Sequence, residues 1–244
     1  MTRLDQALVE RGLCDSRERA KRFILAGQVR INGHPARKPS DSIKPADELV
    51  LEAADKFVSR GGHKLEHALE HFKLDVSGLT ALDLGASTGG FTDCLLQRGA
   101  AKVFAVDVGQ GQLAWKLRQD QRVVVMEKTN ARYLKPENLP APADLIVVDC
   151  SFISLKKILP PAVPLLKPDG KIVALIKPQF EAGKAEVDKG RGVITDAAVH
   201  ERVLAELNEF VTSQAGLWWR GVVESPLLGP AGNKEFLALI EKNC

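Results

Sequence analysis

No stretch of this sequence approaches the ~18 to 20 consecutive apolar residues that a membrane-spanning helix requires. The longest candidates, Leu145-Ile-Val-Val148 and Ile172-Val-Ala-Leu-Ile176, are far too short. The start, Met1-Thr2-Arg3-Leu4-Asp5, has no apolar core of the kind a signal peptide carries. The expectation is a cytoplasmic protein with no membrane partner, and no obligate protein partner is evident. Cysteine is also scarce. Cys14, Cys94, Cys150 and Cys244 stand far apart with no C-x-x-C pair, so neither a disulfide framework nor a cysteine zinc site is indicated. A third absence concerns the glycine-rich stretch Asp83-Leu84-Gly85-Ala86-Ser87-Thr88-Gly89-Gly90-Phe91. It is not the G-x-G-x-x-G of a dinucleotide site, because Ser87 stands at the second glycine's place and Gly89 and Gly90 are adjacent.

What is present is enough for a real core. The chain has 244 residues, 45% of them hydrophobic, which allows one large and one small domain. Ala81 to Phe91 reads as strand, tight turn and helix, and the carboxyl end of a strand in an open α/β sheet is where ligands bind. A second strand, Lys102-Val-Phe-Ala-Val-Asp107, ends in an acid, at the place where such folds hold a ribose. An adenosyl group without a diphosphate fits both features, as does an ordinary strand-helix turn with no ligand. Beyond this turn, strands at 102–107, 122–126, 143–150 and 170–177 alternate with helices at 111–118 and 155–166. A loop at 180–192 and a helix at 196–212 follow, then a hairpin-like pair at 218–224 and 234–240. This alternation predicts an α/β fold, a parallel sheet with helices on both faces.

The net charge of +3 is unevenly distributed: residues 1–45 hold ten cations against five acids, +5, which leaves −2 for the remainder. Such asymmetry suits a nucleic-acid partner, although a solvated basic face gives the same count. The region reads as a helix at 3–12 closed by Gly12, and a second helix capped by Asp15 with Glu18 three residues on. A small hairpin sheet around Val29–Asn32 and Glu48–Leu51 completes it. Arg3-Leu4-Asp5, Ser16-Arg17-x-x-Ala20 and Ile24-x-x-Gly27-x-Val29-x-Ile31-Asn32-Gly33 resemble the α-L RNA-binding domain, making this a small α+β domain over 1–51. The resemblance implies that Arg3, Arg17, Arg19, Lys21 and Arg22, with Arg37 and Lys38 of the following loop, face RNA phosphates.

Residues 52–62 are expected to be a linker before the second domain at 63–244. The first helix of that domain contains His67-x-x-Glu70-His71, a string that inverted zinc peptidases share. Outside this helix, which also carries His63, only His34 and His200 remain to supply a further ligand, neither in a telling context, so no metal is expected.

Asp149 and Lys177 each close an apolar strand at the presumed ligand-binding edge. With Lys64 and Glu235 they resemble the Lys-Asp-Lys-Glu set of FtsJ-like ribose 2′-O-methyltransferases. The flanking strings Ser59-Arg60-Gly61-Gly62-His63-Lys64-Leu65, Asp149-x-Ser151-Phe152-Ile153-Ser154, Lys177-Pro178-Gln179-Phe180-Glu181 and Gly229-Pro230-x-Gly232-Asn233-x-Glu235 are similar to its TlyA branch, a fusion of the two domain types. The resemblance implies S-adenosylmethionine as cofactor and a ribosomal RNA cytidine, in a ribosomal subunit or naked RNA, as target. Large-subunit RNA is favoured because the chain ends soon after its last strand. It further implies Lys177 as base or alkoxide stabiliser, Asp149 as its orienter, and Lys64 and Glu235 as positioning partners. Asp83, Gly85, Ser87, Gly89 and Gly90 would lie near the methionine end of the cofactor, Asp107 at its ribose and Asn130 at its adenine. Two other classes remain open: a membrane-disrupting haemolysin, a label many relatives carry, and an RNA-binding protein with an inactive methyltransferase domain.

Overall fold

The computed structural model describes residues 1–51, 55–214 and 216–243. It divides into two compact units, Met1–Lys56 and Phe57–Cys244.

In the first unit β1 (Thr2–Arg3) leads into α1 (Leu4–Glu10), followed by α2 (Arg17–Leu25), β2 (Val29–Ile31), β3 (His34–Pro35), β4 (Ser42–Ile43) and β5 (Leu49–Leu51). β1 pairs with β4, and β2 lies between β3 and β5, all antiparallel. Leu4 and Leu8 of α1, Ala20 and Ile24 of α2, Val29 and Ile43 close a small core. The cap of α2 differs from expectation. Ser16 is the extended residue whose hydroxyl accepts from the Arg19 amide, whereas Asp15 lies one residue too early and pairs instead with the Arg19 guanidinium at 2.5 Å. Asp5 is fully buried, and hydrogen bonds from Arg3 hold its carboxyl down to about 2, with Arg17 adding a bond at 3.0 Å.

The second unit contains α3 (Gly61–His71), β6 (Thr80–Leu84), α4 (Gly90–Gln97), β7 (Lys102–Val106), α5 (Trp115–Arg118), β8 (Val123–Met126), β9 (Ala143–Val148), α6 (Leu159–Ala162) and β10 (Leu166–Ile176). After these come α7 (Pro178–Glu181), α8 (Lys184–Lys189), α9 (Ala197–Ser213), β11 (Leu217–Glu224) and β12 (Phe236–Lys242). The sheet order is β11-β12-β10-β9-β6-β7-β8, with β12 antiparallel to both neighbours and the other pairings parallel. Strand alternation separates two cores. Leu82, Leu84, Ile146, Val148 and Ile172 face α6 and α9, while Ala81, Leu145, Val147 and Val173 face α3 and α4. Each fully buried aliphatic side chain contributes about 1.5–3 kcal/mol, so the central strands are the best-anchored part of the unit and their carboxyl ends make a firm platform.

Local chemistry changes several expected elements. Pro160, Pro161 and Pro164 break the expected 155–166 helix into two 3-10 turns around the four-residue α6. The expected helix from Gly111 starts only at Trp115, because Gly111 is left-handed at a φ of 71° and Ala114 is extended at a ψ of 139°. The expected loop at 180–192 is partly helical, with α7 running into its first two residues and α8 within it. The linker also ends sooner. Phe57 is 3% exposed within the α3–α4 core, and a β-carbon on Gly62 would lie 2.2 Å from its ring, so residues 57–62 pack in the second unit. Residues 52–54 of the expected linker, and Cys244, lie outside the described residues. On α3, Glu70 pairs with Arg98 and the His67 and His71 rings lie 6.4 Å apart. Among the described residues no cluster of histidine, cysteine and acid is arranged to hold a metal, and no helix is long and apolar enough to cross a membrane.

Candidate active site

The turn after β6 is shaped by close approaches that only small residues permit. Gly85 adopts a φ of 91°, and a β-carbon there would sit 2.6 Å from the carbonyl oxygen of Asp149. Gly89, at 96°, precedes α4, where a β-carbon would strike Leu117 at 2.3 Å, and one on Gly90 would lie 2.3 Å from Ser59 Oγ. Ser87 between them is also left-handed, at 49°, a strained position for a residue with a side chain. Its amide donates to Asp107 Oδ2 at 2.8 Å, and Gly109 N donates to Oδ1 at 2.7 Å, so Asp107 folds back over the turn. Asn130 uses its carboxamide oxygen to accept from Arg132 N at 3.1 Å, capping the 3-10 turn at Ala131–Tyr133. Asp83 points the opposite way from its strand neighbours Leu82 and Leu84 and is fully buried, accepting from the Thr92 hydroxyl at 2.6 Å. Its Oδ1 has no partner. Burial, with Asp149 and Asp107 adding repulsion, pushes its carboxyl up to about 7.

The four charged residues singled out from the sequence meet at the carboxyl edge of the sheet. Lys64 of α3 and Glu235, just before β12, form a buried ion pair. Lys177, just after β10, pairs with Asp149, just after β9, at 2.5 Å and also donates to Ser151 Oγ at 2.8 Å and to the Cys150 carbonyl at 3.3 Å. All four line one cavity of about 570 Å³, whose wall includes Gly85, Ser87 and Gly90 of the turn. A second cavity of about 460 Å³ holds Asp107 and Asn130 and shares Gly85, Ser87, Asp149, Ser151 and Phe152 with the first. Gly89 lines neither and serves packing. The arrangement is two cation–carboxylate pairs beside a cleft wide enough for a nucleoside and a further sugar.

The FtsJ-like methyltransferase family profile matches residues 57–242, the unit that carries this cleft. The chain belongs to the FtsJ-like methyltransferase family. An S4 domain profile matches residues 2–49. The 16S/23S rRNA (cytidine-2′-O)-methyltransferase TlyA of Mycobacterium tuberculosis is 51% identical over 96% of this chain and 87% of its own. Hemolysin A of Brachyspira hyodysenteriae is 43% identical over 97% and 98%. The 23S rRNA (cytidine-2′-O)-methyltransferase TlyA of Campylobacter jejuni is 31% identical over 96% and 98%. A solved structure from Streptococcus thermophilus, provisionally named a hemolysin, aligns with a TM-score of 0.76 at 45% identity, covering 99% of this chain and 88% of that one.

Several further residues of the FtsJ-like unit shape the site, although the sequence reading gave them no role of their own. Phe152 is 90% exposed at a φ of 62°, its ring 5.1 Å from that of Phe180 at the cavity mouth. Asn233 is buried, accepting from Ile194 N at 2.8 Å and donating to the Gly192 carbonyl at 2.9 Å, which ties the loop before Glu235 to the loop after α8. A β-carbon on Gly229 would lie 2.5 Å from Glu235 Oε1, a buried oxygen with no hydrogen-bond partner. Burial raises the Glu181 carboxyl above its ordinary value and the Cys150 thiol to about 12, so Cys150 stays protonated. Their signal in the sequence was the family-like strings, which contain Phe152, Phe180, Glu181, Gly229 and Asn233, while Cys150 directly follows Asp149.

In the S4 unit, Arg3 and Arg17 are engaged by Asp5, Arg19 by Asp15 and Lys21 by Glu18. Arg22, Arg37 and Lys38 are exposed and have no acidic side-chain partner among the described residues. The backbone amides of Arg37 and Lys38 both donate to Asp41, which orders their loop.

Proposed function

We propose that the chain transfers a methyl group from S-adenosylmethionine to the ribose 2′-hydroxyl of a cytidine in ribosomal RNA. The supporting observation is the meeting of Lys64, Asp149, Lys177 and Glu235 in the cavity that also contains the turn after β6. The chemistry of that turn suits this cofactor. Asp83, Asp107 and Asp149 lie close enough for the last two to raise the Asp83 carboxyl, and carboxylates gathered at one edge favour a cation over a pyrophosphate. Gly85, Ser87 and Gly90 would hold the methionine end, with Gly89 shaping the turn and Asp83, fully buried and lining neither cavity, bracing it from beneath through Thr92. Asp107 would hold the ribose, since each of its oxygens keeps a lone pair beyond the amide it accepts. Asn130 would border the adenine. When bound, the cofactor supplies a methyl carbon activated by the neighbouring sulfonium.

The protein's own task is to hold a weakly acidic alcohol in line and deal with its proton. Lys177 takes up that proton or stabilises the developing alkoxide, and Asp149 fixes the amine by its 2.5 Å contact. Lys64 and Glu235 form the second ion pair of the cavity wall, the buried Glu235 carboxylate holding the Lys64 amine in place. Phe152, exposed and tilted against Phe180, suits a base turned out of its helix. Arg3, Arg17, Arg19, Lys21, Arg22, Arg37 and Lys38 would bind RNA phosphates, which position the substrate without reading its sequence. Large-subunit RNA is the favoured target, because 23S rRNA is common to the names of the M. tuberculosis and C. jejuni relatives. The test is transfer of labelled methyl to purified large and small subunits and to naked RNA, followed by mapping of the modified nucleotide. Label on a cytidine ribose of large-subunit RNA is expected. Lys177→Ala should abolish turnover while calorimetric cofactor affinity stays within a few-fold. Label on a base, or turnover that survives Lys177→Ala, refutes the reading.

A further inference from the structure

The amine of Lys177 has three protein partners, drawn from three consecutive residues: Asp149 Oδ1 at 2.5 Å, the Cys150 carbonyl at 3.3 Å and Ser151 Oγ at 2.8 Å. An ammonium has three N–H donors and no acceptor, so the protein occupies all of them. A carboxylate and a carbonyl only accept. After the nitrogen loses one proton it keeps two N–H donors and gains a lone pair, so two of these acceptors stay bonded, and the Cys150 carbonyl at 3.3 Å is the most distant of the three.

Ser151 is also built into place. It is exposed and lines both cavities. The left-handed Phe152 turns the chain immediately after it, at a φ of 62°. Glu181 then fixes the far side of the turn by accepting from Ser154 Oγ at 2.6 Å and from Leu155 N at 2.7 Å. The segment that presents the hydroxyl is thus pinned at Asp149 and again at Ser154.

We propose that Ser151 is a positioning residue for Lys177: with Asp149, its hydroxyl holds two of the amine's three bonding directions, leaving the third, which meets only the longer contact to the Cys150 carbonyl, to take the ribose proton. This rests on the reading of Lys177 given above. The proton leaving the ribose oxygen ends on Nζ as a third N–H, and that oxygen keeps the bonding pair for the methyl carbon. Ser151 accepts from the same N–H before and after the transfer, and the new N–H donates to the Cys150 carbonyl.

The experiment is steady-state and single-turnover methyl transfer by the full chain, with the RNA substrate found in the subunit assay. Ser151→Ala should lower kcat and the single-turnover rate by up to about 100-fold, the loss that a misplacement of order 1 Å produces. KM for RNA and calorimetric cofactor affinity should stay within about twofold, since the hydroxyl acts through the amine rather than through binding. Ser151→Thr, which keeps the hydroxyl, should recover most of the rate, and melting curves of both variants should match the parent. A Ser151→Ala enzyme with unchanged kcat, a loss confined to KM, or a threonine variant no better than alanine overturns the inference. Lys177→Ala assayed in parallel separates the failures. If it keeps its activity, the reading of Lys177 falls; if it is inactive while Ser151→Ala is unimpaired, only the role of Ser151 falls.

Discussion

Asp83 allows a quantitative test of how the cofactor turn is built. Its carboxyl is fully buried, has one hydrogen-bonded oxygen and one without a partner, and is pushed up to about 7 from an ordinary 3.8, chiefly by burial. An acid whose folded value lies above its unfolded one binds more protons when folded, so stability falls as pH rises between the two. The upward shift of about three units corresponds to at most about 4 kcal/mol, and relaxation around a buried charge halves such figures readily, leaving about 2–4 kcal/mol. Asp83→Asn removes the titration while nearly preserving shape and the acceptor for Thr92. Thermal melts of both proteins from pH 4 to pH 8 isolate the effect in the difference between the two curves, because all other groups titrate in both. The parent should lose ground against the variant across that window. The melting-temperature difference should change by about 5–10 °C, given 2–4 °C per kcal/mol for a unit of this size. Curves that run parallel from pH 4 to pH 8 would refute the argument that this carboxyl is neutral below pH 7.

Gly85→Ala places a β-carbon 2.6 Å from the Asp149 carbonyl at a φ of 91°, so a destabilisation of about 2–4 kcal/mol is expected in denaturant unfolding, with weakened cofactor binding by calorimetry. Asp5→Asn should cost about 1–3 kcal/mol at neutral pH, at the low end because both arginine partners are half exposed. Since the Asp5 carboxyl is held down to about 2, that cost should be present above pH 4 and vanish as pH falls toward 2, which acid unfolding of the two proteins can follow. Replacing Arg22, Arg37 and Lys38 together by alanine should weaken RNA binding and reduce the slope of log affinity against log salt by about 2–3, one phosphate contact each. An unchanged slope in filter binding would show that these cations do not meet phosphates.

Local chemistry announces itself in sequence. Short, nearly continuous apolar runs mark strands buried on both faces, and so Ala81–Leu84, Lys102–Val106, Ala143–Val148 and Ile172–Ile176 were legible, with Asp149 and Lys177 at their ends. The run from Gly85 to Gly90 signalled a turn that tolerates no bulk, and the basic first 45 residues signalled a separate unit with anionic chemistry. Errors came where one local rule overrode another. Prolines 160, 161 and 164 defeated an apolar helical pattern, Ser16 outcompeted Asp15 as a cap because it occupies the extended position, and Phe57 found a core next to Gly62 that made structure of an expected linker.

Sequence by itself determined the alternating α/β plan, the small-residue turn, the basic first unit and the charged residues that end the strands. Tertiary structure alone decided which of those residues touch: the pairing of Lys64 with Glu235, 171 positions apart, the three acceptors around the Lys177 amine, and the anchoring of the Glu235 loop by Asn233. The reason is physical. Strand periodicity depends on neighbours two residues away, whereas the meeting of strand ends depends on sheet order and on an antiparallel β12 inserted beside β10, which no local pattern encodes.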